Sequence, residues 1–216
     1  MSLTLFAANI AGAVQHDRIA EVIAKYQPDV VVLTEAYHFN QHISGYSAVR
    51  YSRKHGPEAR DVVVLVRDGV KIKRRALKKM TRAWYGPFTL RKRAPRRYIV
   101  LKLVKDGVGW PVMAVHFPPG GPSGGIKTRG RNKGAWDESA LSTRRWLALR
   151  SRAVVAGDMN ANRGAVEKHV APSNARVVMA SSVDGTVTKG ASITARHLPA
   201  PKGMHGWFLA TYKEYR

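Results

Sequence analysis

The chain contains no cysteine. That excludes disulfides and thiolate metal sites, and it fits a reducing compartment. It also lacks any apolar run of about 18 residues, the length a membrane-spanning helix needs. Its start, Met1-Ser-Leu-Thr-Leu-Phe-Ala, has no charged segment of the kind that opens a secretory signal. No membrane partner is expected. The expected location is the cytoplasm, with a phage-encoded protein acting in a bacterial host among the options. No long Gly/Ser-rich or Pro-rich linker interrupts the 216 residues, so residues 1–216 read as one domain.

Acids are scarce as well. There are 14 Asp and Glu against 37 Lys and Arg, a formal net charge of +23. Such a field speaks about partners rather than fold. Nucleic acid is the commonest partner for it, ahead of an anionic membrane surface or a scaffold without chemistry. The scarcity makes each carboxylate worth placing. Asp29, Asp61, Asp68 and Asp106 read as residues of strand ends or turns. Glu35, Asp158 and Asp184 are harder to dismiss, because each follows or joins a strongly apolar run.

The central stretch is Ala153-Val-Val-Ala-Gly-Asp158-Met-Asn160. Its apolar residues need a covered sheet, and Gly157 lets the backbone turn where a Cβ would crowd. Asp158 and Asn160 are two apart, so in extended chain they point the same way. The competing reading is that they only shape a turn or cap a helix.

Elsewhere, Leu3–Asn9 reads as a strand ending in a polar residue. Asp17 can cap a helix carrying Ile19, Val22, Ile23 and Tyr26 at helical spacing, stopped by Gln27-Pro28. Asp29–Glu35 is a buried strand ending in a carboxylate, and this strand–helix–strand opening favours a parallel pair. Asp68-Gly69 predicts a hairpin joining strands 61–67 and 70–77. A second hairpin joins Tyr98–Val104 to Trp110–His116. A helix capped by Asp137 or Ser139 is expected to run to about Arg150. Strands follow at 175–180, 191–197 and 206–212, with Asp184 on a short strand or turn and His205 just before the last strand. His38 and His42 are spaced for a metal, but no third ligand is near and a loop role is favoured.

Residues 71–97 carry 12 Lys or Arg and no acid, interrupted by Trp84, Tyr85 and Phe88. Mixed basic and aromatic side chains suit phosphate contacts with base or sugar stacking. The candidates there are Arg91, Lys92, Arg93, Arg96 and Arg97. The Gly- and Pro-rich stretch 117–135 adds Lys127, Arg129, Arg131 and Lys133.

The polar residues at strand ends run, in order, Asn9, Glu35, His116, Asp158, Asn160, Asp184 and His205. Together with Pro28-Asp-Val-Val-Val-Leu-Thr-Glu35, Ala114-Val-His116 and Val155-Ala-Gly-Asp158-Met-Asn160, this resembles the endonuclease/exonuclease/phosphatase family, the DNase I-like fold. The resemblance covers nearly the whole chain. It implies an α/β fold of the α+β type: a four-layered α/β sandwich, two packed mixed β-sheets with helices on the outer faces. It also implies metal-dependent hydrolysis of DNA phosphodiester bonds with little sequence specificity. Glu35 would bind Mg²⁺ or Mn²⁺ with Asn9 nearby. Asp158 and Asn160 would hold the attacking water and a phosphate oxygen. His205, oriented by Asp184, would handle proton transfer or phosphate stabilisation, and His116 would face the phosphate from the other side. The family's Ser-Asp-His ending reads Gly203-Met204-His205 here, so one expected carboxylate is replaced by a methionine. A phosphatase or phosphodiesterase acting on RNA or small phosphoesters, and a catalytically inactive DNA-binding protein on the same fold, stay open as alternatives.

Overall fold

The structure is a computed structural model that describes residues 1–13, 16–51, 61–80, 96–123 and 130–215, with the backbone alone at 84–85 and 92–93. Two six-stranded sheets carry the fold. The first runs β13 (Ala191–His197), β14 (His205–Glu214), β1 (Ser2–Asn9), β2 (Val30–Thr34), β4 (Val63–Arg67), β3 (Tyr46–Val49). The second runs β11 (Ala175–Met179), β12 (Asp184–Lys189), β10 (Ala153–Asp158), β9 (Val108–His116), β8 (Arg97–Lys105), β5 (Lys71–Lys79). A short ribbon pairs β6 (Trp84–Tyr85) with β7 (Lys92–Arg93). Each large sheet is antiparallel except at its centre, where β1 lies parallel to β2 and β10 parallel to β9.

Alternation along the strands builds the layers. Leu3, Leu5, Ala7, Val30 and Val32 of the first sheet face Ile99, Leu101, Val112, Ala114, Val154 and Ala156 of the second, forming the core between them. The opposite faces of the strands are apolar too, so they need helices. Phe6, Val31 and Leu33 pack under Ile19, Val22 and Ile23 of α1 (Asp17–Tyr26). Met113, Val115 and Val155 pack under Trp136, Ala140 and Leu147 of α2 (Lys133–Ala148) and Val166 of α3 (Arg163–His169). The result is the four-layered sandwich expected from the sequence.

Three local expectations are corrected. Asp68-Gly69 does not close a hairpin: β4 belongs to the first sheet and β5 to the second, so the turn carries the chain across the sandwich. A tight turn fixes the direction of the chain, not the neighbour of the next strand. The cap of α1 is His16, whose Nδ1 accepts the Arg18 N–H, with Asp17 already in the first turn. Helix α2 begins at Lys133, a turn before Asp137, because Asn132 ends the loop by donating its amide to the Pro119 carbonyl. Helix α3 was not foreseen; Asn162 caps it through the Ala165 N–H.

A buried ion cluster ties the sheets at one end. Asp29 is fully buried and pairs with Arg67 at 2.6 Å and with Lys105, the last residue of β8, at 2.7 Å. It also accepts the N–H and hydroxyl of Thr4.

Candidate active site

At the other end of the sandwich, strand register sets two rows of polar side chains against each other. In the second sheet Asp158 is the register partner of both His116 and Asp184. In the first sheet Asn9 is the partner of both Thr34 and His205, and Glu35 follows Thr34. Six of the seven strand-end residues therefore arrive on adjacent strands at the same level, and Asn160 comes with them two residues past Asp158.

The backbone is bent where these groups emerge. Gly157 has φ of +137°, and a Cβ there would sit 2.0 Å from the Val115 carbonyl oxygen. Glu35 and Asn160 adopt φ of +51° and +48°, the left-handed region that costs a non-glycine residue energy and clusters at functional sites. Asn160 is thus not extended. Its N–H donates to Asp158 Oδ1 at 2.8 Å and its amide Nδ2 to the Phe117 carbonyl at 2.9 Å, so the residue shapes the turn that leaves the strand end. Trp136 supports this turn by donating its indole N–H to the Met159 carbonyl at 2.9 Å.

Asn9 bridges the sheets. Its Nδ2 donates to Glu35 Oε1 at 3.0 Å and to Asp158 Oδ2 at 3.3 Å. Its Oδ1 accepts the Ala11 N–H at 3.0 Å. Asn9 thus aligns the two carboxylates. One ligand atom each of Glu35, Asp158 and His205 all lie within 4.8 Å of one another, close enough to share an ion. Burial, with Asp184 nearby, pushes the Asp158 carboxyl up to about 6 against the pull of His116. A buried carboxylate held up in this way gains from a cation beside it, and an oxygen-rich donor set with one imidazole suits Mg²⁺ or Mn²⁺.

His205 Nδ1 lies 2.5 Å from Asp184 Oδ2. That hydrogen bond, opposed by partial burial and reinforced by the acids around it, pushes the imidazole up to about 9. Asp184 is itself fixed by Ser181, whose hydroxyl donates to Oδ2 at 2.6 Å and accepts the Asp184 N–H at 2.9 Å. Gly206 makes room for the pair: with φ of +67°, a Cβ there would fall 2.1 Å from the Asp184 carboxyl carbon.

His116 sits behind Asp158, 2% exposed, with Nε2 3.6 Å from Asp158 Oδ2 and Nδ1 2.8 Å from Asp61 Oδ2. Burial and the Arg96 charge work against its protonation, but Asp61 and Asp158 outweigh them and raise it above the usual imidazole range. Asp61 also pairs with Arg96, whose guanidinium lies 3.4 Å from His116 Nε2 and 3.4 Å from the Tyr37 hydroxyl. Burial would raise Asp61, yet Arg96 and His116 hold it down to about 2.

Two readings change here. Arg96 is buried at 3% exposure and serves this cluster, not an exposed basic face. Asp61, read from the sequence as a strand-end residue, is the partner of His116, and Tyr37 joins the same network. Their only sequence signal was Asp61 opening an apolar strand in a chain poor in acids. Arg97 is half-buried with its guanidinium 5.0 Å from the Tyr51 ring centre, Arg131 is exposed, and exposed Lys133 pairs with Asp137 at 2.7 Å. Arg91, Lys127 and Arg129 lie outside the described residues, as do the side chains of Lys92 and Arg93. Met204, where a carboxylate was expected, packs with the apolar cluster under α1, which includes Trp207 and Phe6. His38 and His42 are exposed.

The fold has many solved relatives. D. rerio TDP2 complexed with single strand DNA product is 14% identical, with a TM-score of 0.64 and 98% of each chain covered. The human Nocturnin catalytic domain with bound sulfate anion is 15% identical, with a TM-score of 0.66 over 98% of this chain and 94% of that one. A mannosyl-6-phosphatase of Bacteroides thetaiotaomicron is 11% identical, with a TM-score of 0.62 and 98% of each chain covered. At such identities the likeness is one of fold. No curated protein matches the sequence. The family's own sequence model matches residues 7–212, and members of that family are usually metal-dependent hydrolases of phosphodiesters or phosphate esters. By this match, laid over two facing rows of carboxylate, amide and imidazole, the chain belongs to the endonuclease/exonuclease/phosphatase family.

Proposed function

We propose that the protein is a divalent-metal-dependent nuclease that hydrolyses DNA phosphodiester bonds with little sequence specificity. The observation that carries this reading is the convergence of Glu35, Asp158 and His205 within 4.8 Å in a chain of net charge +23. The carboxylate and imidazole cluster supports phosphoester hydrolysis. The charge, and the basic β5 strand at the edge of the second sheet, favour a polyanionic substrate over a small one. The relative bound to a single-stranded DNA product is consistent with the same choice.

Glu35 and Asp158 would hold Mg²⁺ or Mn²⁺, with His205 beside them. The bound ion supplies Lewis-acid stabilisation of charge on the phosphate oxygens. His205, protonated at neutral pH through Asp184, donates a hydrogen bond from Nε2 to a non-bridging oxygen. Asp158, aligned by Asn9 and the Asn160 N–H, accepts a proton from the attacking water as its oxygen bonds to phosphorus and the ester bond breaks, the leaving oxygen taking its proton from solvent water. Asn160 spends its amide N–H on Phe117, which leaves its oxygen to orient the water. His116, buried behind Asp158, steadies that carboxylate with positive charge, and Arg96 pairs with Asp61 in the same buried cluster.

The deciding assay is plasmid nicking with Mg²⁺, Mn²⁺ or EDTA, with Asp158→Ala as control. Cleavage that needs the ion and Asp158 supports the reading. Turnover of RNA or a small phosphoester with DNA left intact would replace it with the phosphatase alternative.

A further inference from the structure

We propose that the outer face of the second sheet, beside the C-terminal half of α2, is a separate binding groove for single-stranded nucleic acid. The inference rests on the DNA reading above for its polymer but concerns a surface remote from the catalytic row. Helix α2 covers Tyr98 and Val100 but leaves Lys102 of β8 and the basic side chains of β5 exposed. Between them lies a cavity of about 260 Å³ whose lining includes Arg74, Lys78, Lys102 and Arg150 with Tyr98 and Trp146. No acid lines it, and Arg74, Lys78 and Lys102 are exposed and make no ion pair with any described acid.

The strand register sharpens the point. Arg74 and Lys102 are direct partners across the β5–β8 ladder. Like charges placed directly opposite destabilise a sheet, and here no described carboxylate relieves them. A row of phosphates does. Trp146 forms the other wall, with the Arg150 guanidinium 4.2 Å from its ring centre. Aromatic faces beside unrelieved cations are the elements of a single-strand site, where bases stack and the backbone is neutralised. The groove follows β8 toward Arg96, about 20 Å away along the strand, so a strand held here leads to the catalytic end.

The test measures binding in EDTA, with no turnover, of a labelled homopyrimidine strand of about 12 nucleotides, within the range that single-strand sites cover. Lys102→Glu is expected to weaken binding roughly five- to tenfold and to lower the salt slope by about 0.7 for each lost phosphate contact. The same variant should melt no lower than wild type, since it places an acid opposite Arg74. Hydrolysis of a small chromogenic phosphodiester should be unchanged. Photocrosslinking with 5-iodouracil in the strand should label Trp146 or Tyr98. Unchanged affinity and slope, labels confined to other residues, or an effect seen only with phosphatidylglycerol vesicles would each overturn the inference. A protein that binds in the groove but never cuts DNA keeps this inference and loses the nuclease reading; one that cuts DNA with binding indifferent to Lys102→Glu does the reverse.

Discussion

His205 Nδ1 and Asp184 Oδ2 lie 2.5 Å apart although they come from different sheets, His205 opening β14 and Asp184 opening β12. The pair therefore depends on the docking of the two sheets as well as on its own hydrogen bond.

The pair predicts an alkaline limit. The folded imidazole is raised to about 9, so its protonated form, and the stability that the pair adds, is fully present below the ordinary imidazole range. Both are lost as pH rises through about 9. Asp184→Asn should move the alkaline limb of the rate profile down toward the usual histidine range and cost about 10²–10⁴ in rate at neutral pH. Rate–pH profiles and NMR titration of His205 check it; a limb that stays in place rejects the role of Asp184.

Gly206→Ala tests the same pair without touching either charge. The added methyl meets the Asp184 carboxylate, and the backbone already sits at φ of +67°. A loss of about 1–3 kcal/mol in urea unfolding is expected, with a rate loss that parallels Asp184→Asn.

Asp158 should separate stability from activity. Its carboxyl is raised to about 6, chiefly by burial, so the metal-free protein loses stability as pH rises from the ordinary carboxylate range to about 6. Asp158→Asn keeps an acceptor for the Asn160 N–H and removes the charge. The metal-free variant should melt no lower than wild type at neutral pH while losing turnover and calorimetric Mn²⁺ binding.

Asp61 should behave oppositely in acid. Held at about 2, it stabilises the fold above the usual carboxylate range, and that contribution fades as pH falls from about 4 through about 2. Asp61→Asn leaves Arg96 buried without its counter-charge. It should cost roughly 3–5 kcal/mol at neutral pH and flatten the acid limb of a stability–pH curve from urea titrations.

Asp29→Ala, at the far end, should destabilise without altering the site. Its partners Arg67 and Lys105 reach water, so roughly 3 kcal/mol is expected, the low end for a broken buried pair. The turnover number of the folded protein should be unchanged.

Much of this was legible in the residues. Continuous apolar runs marked the buried strands, helical spacing marked α1 to within a residue, and polar groups at the ends of apolar runs marked Asn9, Glu35, His116, Asp158 and His205 as candidates. What escaped was long-range. Asp68-Gly69 specified a turn, but which sheet received β5 depended on pairing with β8, about thirty residues on by register. Asp61 looked like any strand-opening acid, since only the folded chain brings it to His116 and Arg96. Arg96 stood in a basic run, and nothing local distinguished it from exposed neighbours. Met204 was read as a missing carboxylate, and the structure turns that position into the apolar packing under α1.

The register that pairs Asn9 with His205 joins the first strand of the chain to the last. Contacts of such sequence separation form late, after the entropy of closing the intervening loop has been met. A chain still lacking β14 has neither His205 nor the partner strand that flanks Asn9, so the candidate site stays unassembled until that strand is in place. Whatever activity the site supports should consequently appear in one step with completion of the first sheet.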